Sequence, residues 1–125
     1  MAAPNIVSVT SILGKTAYSN NVGTSVGNLL TNAASSNKVL KINTIIAANI
    51  DGTNAADITV YVRHASSTDI YYYLANTISV PADTTLVITS KDTSFYLEEN
   101  QRISMLASAA GDISLMCSYE EIDDA

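Results

Sequence analysis

Turn residues divide the chain into short runs in which apolar and polar side chains alternate, and a period of two admits little besides β-strands. Between residues 39 and 50, Leu40, Ile42, Ile46, Ala48 and Ile50 alternate with Lys41, Asn43 and Asn49, as a half-buried strand requires. Asp51-Gly52-Thr53-Asn54 reads as a turn. Beyond it Ile58, Val60 and Val62 alternate with Thr59, Tyr61 and Arg63, so the two runs are expected to pair as a hairpin. Ser66-Ser67-Thr68-Asp69 breaks the pattern, and the run from Ile70 to Val80 restores it. That run sets Ile70, Tyr72, Leu74, Ile78 and Val80 against Tyr71, Tyr73, Ala75, Thr77 and Ser79. Pro81 ends it, because proline brings no N–H to a ladder. Shorter runs follow at 84–89, 95–97, 102–107 and 113–119, with Ala110-Gly111-Asp112 as the expected tip of a last hairpin. No segment carries the 3.6-residue period of an amphipathic helix.

The list amounts to roughly eight strands in 125 residues, enough for two sheets facing across one core. The expected fold is therefore all-β, an antiparallel β-sandwich with jelly-roll-like connections, with a partly open barrel as the rival. Residues 1–36 read as an N-terminal arm or an edge strand with long loops, since Ile6–Leu13 is strand-like whereas Lys15–Ser36 has only Val26, Leu29 and Leu30 as apolar anchors. Residues 37–122 read as the sandwich core and 123–125 as an acidic tail.

Composition narrows the function. Only 14% of the residues are charged, and 13 Thr, 15 Ser and 11 Asn supply the neutral polar surface in their place. Six basic against twelve acidic residues leave a net charge of -6, which repels a phosphate backbone, so nucleic acid is not an expected partner. One His and one Cys exclude a single-chain zinc site and an internal disulfide, leaving a disulfide open only between subunits. No apolar run reaches the 18 or so residues of a spanning helix, and Met-Ala-Ala-Pro-Asn lacks the regions of a signal peptide; the expectation is a soluble protein made in a reducing cytoplasm, with no membrane partner.

Candidate chemistry is sparse. His64 ends the face of Ile58, Val60 and Val62 without a nucleophile motif to serve, and Cys117 follows Ile113 and Leu115 on an apolar face, so a histidine that hydrogen-bonds and a buried thiol are the favoured readings. Asp51, Asn54 and Asp57 could offer oxygens to calcium, but their spacing departs from the EF-hand loop and turn residues explain them as well. Glu98 and Glu99 are adjacent, so on a strand they would point to opposite faces and fit a turn better than a paired-carboxylate site. No phosphate-binding loop or nucleophile elbow occurs, and neither a catalytic site, a metal nor a cofactor is expected. Two features point to partners instead. Alternation turns Tyr71 and Tyr73 outward together, where tyrosines suit a protein interface, ordinary cross-strand pairs or, with less support in a chain without tryptophan, a sugar-binding surface. Glu120, Glu121, Asp123 and Asp124 form an acidic end that is either solvated or docks on a basic partner.

Three segments, taken in order, carry a resemblance: residues 49–60 (Asn-Ile-Asp-Gly-Thr-Asn-Ala-Ala-Asp-Ile-Thr-Val), residues 78–87 with Val80-Pro81-Ala82, and the ending Tyr96-Leu97-Glu98-Glu99-Asn100, Ala107-Ser108-Ala109-Ala110-Gly111-Asp112 and Cys117-Ser118-Tyr119-Glu120-Glu121-Ile122. Over about residues 39 to 122 the chain resembles small virion structural proteins of tailed bacteriophages, especially those of cyanobacteria and other marine bacteria. Asn100 stands where many such proteins carry glycine. The resemblance implies a β-sandwich without catalytic residues, located in the virion and assembled in the host cytoplasm. It implies a homo-oligomer, such as a trimer, that binds the major capsid protein as a decoration or cement protein, or else sits in the neck, tail or fibre attachment. Residues 1–36 would then be an arm reaching a neighbour, and low charge would ease the crowding of copies.

Overall fold

The structure is a computed structural model that describes residues 7–64 and 70–123. Nine strands account for most of it: β1 (Ser11–Ser19), β2 (Gly27–Asn32), β3 (Lys38–Asn49), β4 (Ala56–His64), β5 (Tyr71–Val80), β6 (Thr85–Thr89), β7 (Phe95–Leu97), β8 (Gln101–Ala107) and β9 (Ile113–Asp123), with one 3₁₀ turn at Lys91–Thr93. They form two antiparallel sheets. The first has the order β1-β9-β3-β6, with short β7 also on β3, and the second has the order β2-β8-β4-β5. The pairs are nested, β1 with β9, β2 with β8, β3 with β6 and β4 with β5, so the chain winds as a doubled ribbon around the β4–β5 link. This is the winding of a jelly roll, and the all-β sandwich expected from the sequence is the fold observed.

Two expected hairpins do not form. β3 lies in the first sheet and β4 in the second, and β8 and β9 are divided likewise, so the turns at Asp51–Asn54 and Ala110–Asp112 are arches that carry the chain across the core. Of residues 1–36, read as an arm or an edge strand with loops, residues 1–6 lie outside the described residues and 11–32 supply the edge strands β1 and β2 of the two sheets.

Between the sheets lie Ile42, Ile45, Leu97, Ile113, Leu115 and Cys117 from the first, and Ile58, Val60, Val80, Ile103 and Met105 from the second. A β-bulge decides which residues of β3 join them. Ile42 pairs with Tyr119 and Thr44 with Ser118, so Asn43 is the extra residue and the alternation slips by one. Leu40 and Ile42 face inward as the sequence suggests, but beyond the bulge Ile45, Ala47 and Asn49 are buried, and Ile46, Ala48 and Ile50 are turned out. A second irregularity alters β5: Val60 pairs with Ala75 and Tyr61 with Tyr73, which makes Leu74 the bulged residue and puts Ala75 inside. Three residues on, Thr77 adopts φ 54°, unfavourable for a β-branched side chain, and its N–H donates to Thr59 Oγ1 at 3.0 Å.

Two buried asparagines tie the sheets together at opposite ends. Asn32 closes β2 and donates through Nδ2 to the carbonyls of Lys38 (2.9 Å) and Leu97 (3.0 Å) in the first sheet. Asn49 closes β3 and donates to the carbonyls of Val80 in the second sheet (2.8 Å) and Asn54 (3.0 Å), while its Oδ1 accepts from the Asp51 N–H (2.9 Å). Asn100 sits at φ 64°, where glycine is the easiest residue and asparagine among the best tolerated, and its N–H donates to the Asn32 carbonyl at 2.8 Å.

Candidate functional site

The chemistry weighed from the sequence is not brought together. His64 is exposed at the end of β4 in the second sheet, whereas Cys117 points into the core from β9 of the first. Burial pushes the Cys117 thiol up to about 12. A thiol so placed forms no bond to a neighbouring subunit, which removes the intersubunit disulfide left open by the cysteine count. Native protein at pH 8 is expected to leave Cys117 unmodified by iodoacetamide while the urea-unfolded chain reacts fully, as mass spectrometry would read. The unfolded thiol ionises near 9.0 and the folded one at about 12, so this group's contribution to stability is whole below pH 9 and declines as pH rises between those values.

The loop at 51–57 is occupied with its own backbone. Asp51 Oδ1 accepts from the N–H groups of Thr53 (2.8 Å) and Asn54 (3.3 Å), and these bonds hold its carboxyl below the usual 3.8. The stability it lends is present above that value and is lost as pH falls through the lowered one. Asp57 is held differently, its N–H donating to Ser108 Oγ at 2.8 Å. Among the described residues no three His, Cys, Asp or Glu side chains are grouped to hold a metal ion. Glu98 and Glu99 occupy the turn between β7 and β8, and Glu99 Oε2 accepts the Asn37 N–H at 2.7 Å.

The acidic end is part of a sheet. β9 runs on to Asp123, so Glu120 and Glu121 are strand residues between β1 and β3, and Asp123 pairs with Ser11 and Lys38; Asp124 lies outside the described residues. Glu121 bridges Lys15 (3.2 Å) and Lys38 (3.6 Å), and Glu120 accepts from Asn43 Nδ2 at 3.3 Å. Tyr71 and Tyr73 are exposed on the outer face of the second sheet, well separated in the topology from these carboxylates.

The feature that sequence reading missed is on the outer face of the first sheet. Directly opposed residues of antiparallel strands share a face, so the register aligns Tyr18 of β1, Met116 of β9, Ile46 of β3 and Val87 of β6 in one row across four strands. Tyr18 is 73% exposed, Met116 48% and Val87 57%. The rows on either side, Thr16-Ser118-Thr44 and Ser114-Ala48-Thr85, carry no charge. An open hollow of about 420 Å³ adjoins the row, lined among others by Tyr18, Asn20, Ile46, Ala48 and Met116. The signal was hidden because the Asn43 bulge reverses Ile46 and Ala48, which an unbroken alternation assigns to the core.

No protein-family model and no curated protein sequence matches the chain. Among solved structures it is similar to a subunit from Bacillus endospore appendages, described as a novel family of disulfide-linked pili, with a TM-score of 0.54 and 13% identity over 92% of this chain and 90% of that one. That likeness concerns the fold. A chain of infectious bursal disease virus, Gx strain, aligns with a TM-score of 0.46 and 14% identity, and this protein spans 32% of its length.

Proposed function

We propose that the protein is a structural subunit that works by binding further copies of itself and neighbouring shell proteins, and that its place is the virion of a tailed bacteriophage, as a decoration protein on the capsid. The observation that carries the reading is the Tyr18-Met116-Ile46-Val87 row. A chain with net charge -6 gains an interface most easily where the meeting surfaces carry no charge, and this apolar row and the rows on either side of it carry none. The resemblance of residues 39–122 to phage virion proteins supports the location. The fold likeness to a pilus subunit accords with a protein made for assembly. Unlike those disulfide-linked pili, an assembly of this chain is held without intersubunit disulfides, since its single cysteine is buried.

Light scattering coupled to gel filtration is expected to find a small symmetric oligomer, such as a trimer. Met116→Asp should shift it to monomer with little change in melting temperature, because burying one such carboxylate from every subunit at the contact costs far more than leaving each exposed on a monomer. A monomeric parent that also fails to cosediment with capsids would defeat the reading. Quantitative mass spectrometry of purified virions then locates it: hundreds of copies per particle indicate shell decoration, and a count on the order of ten indicates the neck, tail or fibre attachment.

A further inference from the structure

The outer face of the second sheet is built for a different contact. Its register aligns Thr31, Arg102, Arg63 and Tyr71 in one row and Asn28, Ser104, Tyr61 and Tyr73 in the next. Arg63 and Arg102 are the only arginines of the chain, and they stand directly opposite each other in a protein of net charge -6. Beside them the tyrosines form a step. Tyr61 is the floor, 3% exposed, with the ring centres of Tyr71 at 4.6 Å and Tyr73 at 5.4 Å. Tyr71 and Tyr73 meet edge to face at 6.5 Å and remain about half exposed. The Nε of Arg102 is buried without a hydrogen-bond partner among the described residues, although nearly all such groups in folded proteins have one.

We propose that this face binds a carboxylate-bearing saccharide, with the guanidinium groups of Arg102 and Arg63 receiving the carboxylate and the rings of Tyr71 and Tyr73 packing against the sugar. The planar fork of Arg102, whose Nε has no partner among the described residues, offers a carboxylate charge-assisted hydrogen bonds, and Arg63 stands directly opposite it. The setting favours a sugar over an acidic peptide. Extended peptides dock by adding a strand to a sheet edge, but β4 and β8, which carry the arginines, have neighbours on both sides. The flanking Thr31 and Asn28 present a hydroxyl and an amide, groups suited to a hydroxyl-rich ligand. This inference goes beyond the assembly role and does not depend on it, since it uses the opposite sheet.

The test is calorimetric titration of the full chain with oligogalacturonate, with a neutral oligogalactan of equal length and poly-glutamate as comparators. The expected result is saturable, salt-sensitive binding of the uronate, at least tenfold tighter than of either comparator. Arg102→Gln should weaken it at least tenfold and Tyr73→Ala similarly, whereas Arg102→Lys, which keeps the charge but loses the planar fork, should weaken it less. If Arg102→Gln lowers the melting temperature strongly, Arg102→Lys, with its smaller expected loss, and Tyr73→Ala carry the comparison in its place. Absence of binding, equal affinity for the neutral oligomer, equal affinity for poly-glutamate, or a folded Arg102→Gln protein that binds as the parent does would each overturn the proposal.

Discussion

An Asn49→Leu protein is expected to melt roughly 10 °C below the parent. Leucine branches at the same atom as asparagine but can neither donate nor accept, so the substitution leaves the Val80 and Asn54 carbonyls and the Asp51 N–H without the partners that Asn49 gives them. Each polar group orphaned away from water costs about 1–3 kcal/mol. The Val80 bond is buried and is charged in full, while the other two are partly open to water, for a sum of about 3 kcal/mol. In a domain of this length each kcal/mol moves the midpoint by about 3–4 °C. Thermal denaturation followed by circular dichroism gives the answer. A midpoint within 2 °C or so of the parent would mean that Asn49 does not tie the end of β3 to the end of β5.

The second large effect separates two adjacent isoleucines. Ile45→Ala should destabilise the protein by about 3–4 kcal/mol, because Ile45 is wholly buried between the sheets and its loss leaves a cavity that close-packed neighbours fill only in part. Ile46→Ala should cost less than about 1 kcal/mol, since that side chain faces outward in the exposed row. Urea unfolding of both variants measures the difference directly. An alternation unbroken from Leu40 to Ile50 makes the opposite prediction, so a larger loss at Ile46 would show that the bulge at Asn43 is misplaced.

That pair also marks how far sequence reading reaches. Strand existence was legible from about residue 39 onward, where alternating runs are punctuated by proline and turn residues, whereas β2 and most of β1 fall in a stretch too poor in apolar residues to show a period. Ile58 and Val60 in β4 and Ile113, Leu115 and Cys117 in β9 are core residues as their alternation indicates. What failed was everything that depends on one extra residue or on a partner far along the chain. The bulges at Asn43 and Leu74 shift the phase without any local signature, so an unbroken alternation places Ile46 and Ala48 inward and Ala75 outward. Adjacent runs were paired as hairpins because neighbours in sequence usually pair, yet Asp51–Asn54 and Ala110–Asp112 arch between sheets. The outward placement of Tyr71 and Tyr73 was readable from their spacing, but the arginines beside them were not. Arg63 and Arg102 meet only because β4 and β8 are neighbours, a fact of topology that no local window contains.

The nested pairing of strands has a consequence for how the chain comes off the ribosome. β9 lies between β1 and β3 in the middle of the first sheet, although Ser11 of β1 has been synthesised long before its partner Asp123. Until β9 emerges, β1 has no neighbour and one side of β3 is an open edge, the kind of surface that recruits strands from other chains. β4 and β5, in contrast, can pair as soon as both exist, and they offer the natural starting point from which the ribbon zips outward. Folding should therefore wait on the last strand and then finish cooperatively on a scale of milliseconds to seconds, as expected where distant contacts dominate. That waiting interval is when nascent chains are most exposed to one another.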